Sequence, residues 1–464
     1  MGSCLALRWR FVAPTLAALA GAPGSVGAQD SSLARFIHRT RLDNGLDVIT
    51  VENNAVPLAT VLVAVRNGAF TQDSSDQGMA HLYEHLLFRS YGNGPEAFAI
   101  EVSRLNGAYN GATLPEVVYY HVTVPSRNVE KGIKLIARLV REARFSNGDL
   151  KRERPVVLDE LQRGESDPEQ QLERHVDQML WGASWSRKDV GGDSTSLAGI
   201  TVDHLKETYA RYYLPNNAAL IVTGDVSCDR VFAQAAEAFR DWRPGPDPFL
   251  DHPIPPVVPR ATSTVVIVAQ DVHDVTIRVS WQGPGVGRDT AATYAADALF
   301  DVLDDPGSAF QQRLVEQGPF QSVTGYYLTQ DQTGPIQIIG KTTPERAQDA
   351  LNELLDEVER LDALEGVTGE DLAIAKKRRA VSMALTLEQT SLLAPELATW
   401  WASAGLEYYL GYQHRLAAQT VDDLRRFARA YIVGRPRVIG VLAPPATTQQ
   451  LAAWLRQISG AAPR

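Results

Sequence analysis

An α+β fold of two homologous α/β sandwich domains is what this chain predicts, on three features. Helices and short alternating strands follow one another without regular βαβ units, which favours a sandwich over a doubly wound parallel sheet. Seven prolines between 244 and 259, with no apolar periodicity, mark a linker between two halves. The run Thr201-Val-Asp-His-Leu-Lys-Glu-Thr-Tyr-Ala-Arg-Tyr-Tyr213 recurs 219 positions later as Thr420-Val-Asp-Asp-Leu-Arg-Arg-Phe-Ala-Arg-Ala-Tyr-Ile432. Each copy leads through a turn into an apolar strand, Ala219 to Val222 and Val438 to Leu442. A repeat this long is a duplicated domain rather than a solenoid unit. At 464 residues and 44% hydrophobic, the chain also exceeds one comfortable core.

The first 28 residues read as a processing segment. Arg8 and Arg10 precede a short apolar run, Phe11 to Ala20, and Val26-Gly27-Ala28 offers small residues for cleavage before Gln29. The run is too short to span a bilayer, and no later stretch reads as a membrane span, so a periplasmic or secreted location is expected. Strand-like runs then fall at Leu46–Val51 and Leu58–Arg66, the second broken by Asn67-Gly68. Helices are expected from Asp76, over Glu96–Leu105 after Gly94-Pro95, and over Val129–Glu142. Strands fall at Tyr109–Thr113 and Val117–Val124, with Pro125 ending the latter. Leu150 to Leu180 is helical with a break near Asp167, before Pro168. Trp181–Gly199 reads as a loop, Thr201–Tyr212 as a helix, Ala218–Thr223 as a strand and Asp229–Phe239 as a helix. The expected organisation is a leader at 1–28, an N-terminal domain at 29–243, a linker at 244–260, a C-terminal domain at 261–448 and a tail at 449–464.

A net charge of −10 and a pI near 5.5 argue against nucleic acid or anionic membrane as a non-specific partner. Cys4 leaves with the leader and Cys228 remains alone, so packing rather than a disulfide must hold the fold.

Chemistry concentrates at His81-Leu82-Tyr83-Glu84-His85. Residues at i and i+4 share a helix face, so both imidazoles can meet one ion, with Glu84 beside it. This is the H-x-x-E-H arrangement of an inverted zinc metallopeptidase motif. A catalytic zinc takes three protein ligands and keeps a position for water, so one more donor is needed. Glu153, Asp159, Glu160 and Glu165 on the next long helix are all candidates. Zinc would polarise a carbonyl and acidify water, and Glu84 would act as general base.

The chain resembles the pitrilysin-type (M16) zinc metallopeptidases, in particular the short bacterial members similar to mitochondrial processing peptidase. The resemblance rests on H-x-x-E-H followed at the family's distance by Glu153-Arg-Pro-Val-Val-Leu-Asp-Glu160. It extends to Leu105-Asn-Gly-Ala-Tyr-Asn-Gly-Ala-Thr113 and to Tyr209–Asp225, and covers nearly everything from Asp43 to Pro444. It implies a half-clamshell, a zinc-dependent endopeptidase and one Zn2+ per chain held by His81, His85 and Glu160. Glu84 would be the base, Glu153 would support a histidine ligand, and Asn110 would lie near the scissile bond on an edge strand that pairs with extended substrate.

The resemblance departs in the second half. Active single-chain members and the partner subunits of split enzymes carry an Arg and a Tyr, seven residues apart, after a Gly-Ser loop, but Gly307 to Gln321 places Val315 at the first position and Phe320 or Gln321 at the second, with Arg313 two residues off. The favoured expectation is the zinc-bearing subunit of a heterodimer with a homologous metal-free chain; a homodimer is the alternative. Other functions left open are a non-catalytic structural or binding subunit and a processing peptidase dedicated to one precursor peptide. Trp181, Trp185, Trp400 and Trp401 read as packing anchors, and Asp301, Asp304 and Asp305 as a solvated helix end.

Overall fold

The computed structural model describes residues 36–92, 94 and 96–458. The leader reading lies outside these residues. Eleven strands among them form two sheets.

The first sheet contains β1 (Ile37–Arg41), β2 (Asp47–Glu52), β3 (Leu58–Val65), β4 (Ala108–Thr113), β5 (Val118–Pro125) and β6 (Ala218–Gly224), in the order β1-β2-β6-β3-β5-β4. The second contains β7 (Thr264–Ala269), β8 (Val275–Gln282), β9 (Ser322–Tyr327), β10 (Pro335–Thr342) and β11 (Val438–Ala443), in the order β7-β11-β8-β10-β9. The duplication is visible in this pairing. β2 and β6 run parallel, as do β7 and β11, and every other pair is antiparallel. β1 is an addition to the first half; its sequence, IHRTR, buries only Ile37 and carries too little apolar pattern to announce a strand.

The helices repeat in the same way. In the first half the longer ones are α1 (Met79–Arg89), α2 (Ala97–Arg104), α3 (Val129–Arg141), α4 (Asn147–Ser166), α5 (Pro168–Trp181), α6 (Val202–Tyr212) and α7 (Cys228–Phe239). In the second they are α8 (Val286–Leu303), α9 (Ala347–Arg360), α10 (Gly369–Glu388), α11 (Thr390–Ser403), α12 (Leu406–Ala417), α13 (Val421–Tyr431) and α14 (Pro445–Ile458). Thr201 and Thr420 cap α6 and α13 through their side chains, which is why the Thr-Val-Asp signature marks both helices. Asp167 ends α4 and caps α5, accepting from the Glu169 and Gln170 amides, so Pro168 sits where its missing N–H costs nothing.

Each half lends one helix to the other. α5 packs on β7, β8 and β11 of the second sheet, whereas α11 packs on β3 and β6 of the first. β3, LATVLVAV, is therefore covered on both faces, which explains why its apolar run is nearly continuous rather than alternating. Polar groups seal the seam. The Arg66 guanidinium lies 4.2 Å over the Trp401 ring, the Lys188 amine donates to the Thr333 carbonyl at 2.7 Å, and Thr223 donates to the Thr390 carbonyl at 2.8 Å. Trp401 thus serves as an anchor, as does Trp181 beneath Lys188.

Three stretches differ from expectation. Trp181–Gly199 is not a plain loop: it holds a 3-10 turn, Gly182–Arg187, and a short helix, Ser194–Gly199, capped by Asp193. The run set aside as a tail is helical to Ile458 and lies on β7 and β11. The acidic helix end is paired rather than merely solvated, Asp301 with Arg379 at 2.7 Å and Asp305 with Arg378 at 2.5 Å. Among the described residues no helix is long and apolar enough to cross a membrane.

Candidate metal centre

α1 begins at Gly78, whose φ of +88° only glycine adopts easily. Gly192 crosses it so closely that a Cβ on Gly192 would stand 2.5 Å from the Gly78 Cα. The first amides of the helix are satisfied by Gln72, whose Oε1 accepts from Gly78 and Ala80 at 3.1 Å each. Leu82, Tyr83, Leu86 and Leu87 then enter the core, which turns His81, Glu84 and His85 toward α4 and β4. On α4, Leu150, Glu153 and Val157 form the buried face, and Glu160 continues it at the same helical spacing. Asp159 and Glu165, on the same helix, are exposed, whereas Glu160 lies with His81 and His85 in one cluster able to hold a metal ion.

Glu160 Oε2 lies 3.6 Å from His81 Nε2 and 3.5 Å from His85 Nε2. These separations are too long for hydrogen bonds. They match two ligands of one tetrahedral ion, which at zinc–ligand distances of about 2.0–2.1 Å stand roughly 3.3–3.4 Å apart. The three ligand atoms all lie within 4.8 Å of one another, and the buried His85 Nε2 has no hydrogen-bond partner. Two imidazoles and one carboxylate are the donor set of a catalytic zinc with an open position, so the residues present can hold one zinc ion per chain.

The surroundings fix these side chains. Glu153 presents Oε2 to His85 Nδ1 at 3.6 Å, while its Oε1 accepts from Arg89 Nε at 2.8 Å. Burial disfavours a charged His85, but Glu153, Glu160 and Glu84 outweigh it and push the ring up to about 9. Burial and the adjacent His85 hold His81 below the usual imidazole range. Glu84 is buried and accepts from Thr113 Oγ1 at 2.9 Å; burial raises its carboxyl, and the Thr113 bond and His85 oppose the rise. Gly111 makes this approach possible, since a Cβ there would meet Glu84 Cγ and Phe88 Cε2 at 3.1 Å. Thr113 and Arg89 had no role in the sequence reading. Arg89 lies one turn beyond His85, a spacing that could have flagged it; Thr113 offered no signal without the strand register.

Asn110 lies on β4, the outer strand of its sheet. Tyr109, Gly111 and Thr113 face α1, so alternation puts Asn110 on the opposite face, exposed and opposite His121. Its side chain is not brought into the cluster. In the second half, Arg313 donates to both oxygens of the buried Glu357 at 2.5 and 2.7 Å, Phe320 is buried against Gly340, and Val315 packs on the core. All three are structural.

Two family profiles match the chain. Insulinase (Peptidase family M16) covers residues 47–190, and Peptidase M16 inactive domain covers residues 199–379. An uncharacterized zinc protease of Mycobacterium bovis is 26% identical over 445 residues, covering 93% of this chain and 98% of its own. The mitochondrial-processing peptidase subunit beta of Blastocladiella emersonii is 26% identical over 420 residues, covering 87% and 88%. Among solved structures, a protease from Helicobacter pylori superposes with a TM-score of 0.79 at 22% identity, over 88% of this chain and 99% of that one. A peptidase M16 inactive domain from Pseudomonas fluorescens superposes with a TM-score of 0.76 at 19% identity, over 88% and 98%. These two likenesses carry the fold: two α/β domains in a bi-lobed arrangement.

Proposed function

The chain belongs to the M16 (pitrilysin/insulinase) family of zinc metallopeptidases, and from that premise we propose that it is a zinc endopeptidase acting on extended peptides or unfolded protein segments. The observation that carries this reading is the single carboxylate oxygen of Glu160 standing 3.5 and 3.6 Å from two imidazole nitrogens. In this reading His81, His85 and Glu160 hold zinc, and Glu153 steadies the far nitrogen of His85. A zinc ion held there supplies Lewis acidity, polarising a peptide carbonyl and acidifying the attacking water. Glu84 takes the proton of that water on its carboxylate and delivers it to the leaving amine. Its burial favours taking the proton, and the Thr113 bond keeps the group aimed while it does so. The open edge of β4 receives substrate through its backbone, which selects extended chains over folded ones. Asn110, on the outward face of that strand, contacts the bound segment rather than the ion.

The chain works as the zinc-bearing subunit of a two-chain chamber. Among the described residues, no second cluster of metal ligands occurs in the C-terminal half, and Arg313 is committed to Glu357. A homologous metal-free chain would supply the missing cation. Read as a leader, residues 1–28 would send the pair to the periplasm or outside the cell.

The test is zinc content together with cleavage of unstructured peptides, for the wild type and Glu84→Gln, with and without the partner chain. Glu84→Gln should keep its zinc and lose turnover. A fully active Glu84→Gln would overturn the reading, and a zinc-loaded wild type inert with any partner would make the chain a structural subunit. Efficient hydrolysis by the purified chain alone would overturn the heterodimer.

A further inference from the structure

A groove of about 500 Å³ opens between α2 and α3, bounded by Ala238 at the end of α7. Lys131, Lys134, Arg138 and Arg141 line it from α3, and Arg104 from the end of α2. Spacings of three, four and three residues put the four α3 cations in one stripe, opposite the apolar face that α3 turns to the sheet. Five cations in the lining face one carboxylate, Glu101. Arg138 is taken up by Glu101 and Lys134 by Glu130. Among the described residues Arg104 and Lys131 form no ion pair. In a chain of net charge −10, this is a local reversal of sign.

Position gives the groove a meaning. Leu105 lines it and ends α2 just before β4 begins at Ala108, while Glu84 and the metal cluster lie toward the Thr113 end of the same strand. An extended peptide paired along β4 covers the six residues from Thr113 to Ala108, a span of about 17 Å, and then leaves the sheet beside Leu105. On the reading of β4 as the substrate strand, we propose that the α2–α3 groove is an exosite for an acidic segment of the peptide substrate, six or more residues from the scissile bond. A short acidic segment fits the charge because interactions fade beyond about 8 Å at physiological salt. A broad anionic membrane would meet the negative field of the whole protein as well.

Two matched fluorescent peptides test this, one neutral throughout and one carrying a run of four Asp or Glu residues seven positions from the cleavage site; a third carries the run on the other side. Binding is read by anisotropy on zinc-loaded Glu84→Gln protein, and cleavage on the wild type. One acidic peptide should bind roughly three- to tenfold more tightly than the neutral one at low salt, with the gain lost near 0.5 M salt. In Arg104→Ala/Lys131→Ala the gain should disappear while cleavage of the neutral peptide stays unchanged. Equal binding of all three peptides, or a gain that survives in the double variant, would overturn the exosite. Loss of binding to phosphatidylglycerol vesicles in the double variant, with the peptide preference intact, would reassign the groove to a membrane and also overturn it. Cleavage of none of the peptides would instead overturn the peptidase reading, since the anisotropy titration stands without turnover.

Discussion

Replacing Glu153 with glutamine tests how far the proposed zinc ligands depend on what lies behind them. The substitution keeps the side-chain shape and removes one negative charge 3.6 Å from His85 Nδ1. At an effective dielectric of about 20, a unit charge at that distance is worth roughly 4.6 kcal/mol to a cation on the ring. Arg89, 2.8 Å from the other carboxylate oxygen, offsets much of this field. Glu153 is also a main reason that His85 holds a proton in competition with the metal, so its loss relieves part of that competition. What remains should fall in the range of about 10- to 100-fold in zinc affinity, as for carboxylates behind metal-bound histidines in general. Titration against a chromophoric chelator at pH 7.5 measures it, with circular dichroism to verify that the fold is retained. A dissociation constant within twofold of wild type would refute the reasoning.

Three further outcomes are expected. Thr113→Val removes the hydroxyl that donates to Glu84 at 2.9 Å; kcat should fall roughly 5- to 30-fold with zinc content unchanged, whereas Thr113→Ser should retain most activity. Arg313→Ala leaves the buried Glu357 with Arg360 as its remaining partner and should destabilise the protein by about 2–3 kcal/mol, read as a lower midpoint in denaturant. Its peptide KM should not change, and a rise in KM at unchanged stability would place Arg313 in contact with substrate. Because the ring of His85 is pushed up to about 9 before metal enters, zinc must displace a proton at neutral pH. Apparent zinc affinity should therefore rise with pH toward 9, by up to roughly tenfold per unit, with release of about one proton at pH 7.5 measured by calorimetry in two buffers.

Much of this architecture is written locally. The i, i+4 histidines lie on one helix and depend on nothing distant, so their meeting can be read from spacing alone. The proposed third ligand cannot be read that way. Four carboxylates on or near α4 were equivalent until the helix rotated a particular face toward α1, and only the buried positions Leu150, Glu153 and Val157 show which face that is. The Thr201 and Thr420 caps announced the duplication, but the reciprocal exchange of α5 and α11 is a tertiary choice. Both are amphipathic or apolar helices that could have packed on their own sheets. β1 and the helix Ser194–Gly199 were illegible for a different reason: they are short, polar and held by pairing or capping rather than by an apolar pattern. The Asn-Gly pair at 110 and 111 shows the same limit. Gly111 is there to let Glu84 approach, a reason that exists only once α1 lies on β4.

A zinc-edge anomalous difference map from crystals of the zinc-loaded protein addresses the central claim most directly. The account predicts one peak per chain, about 2.0–2.2 Å from His81 Nε2, His85 Nε2 and a Glu160 oxygen, with Glu84 beside the open side of the ion. A peak elsewhere, or a fully loaded protein in which Glu160 stays out of contact with the metal, would contradict it.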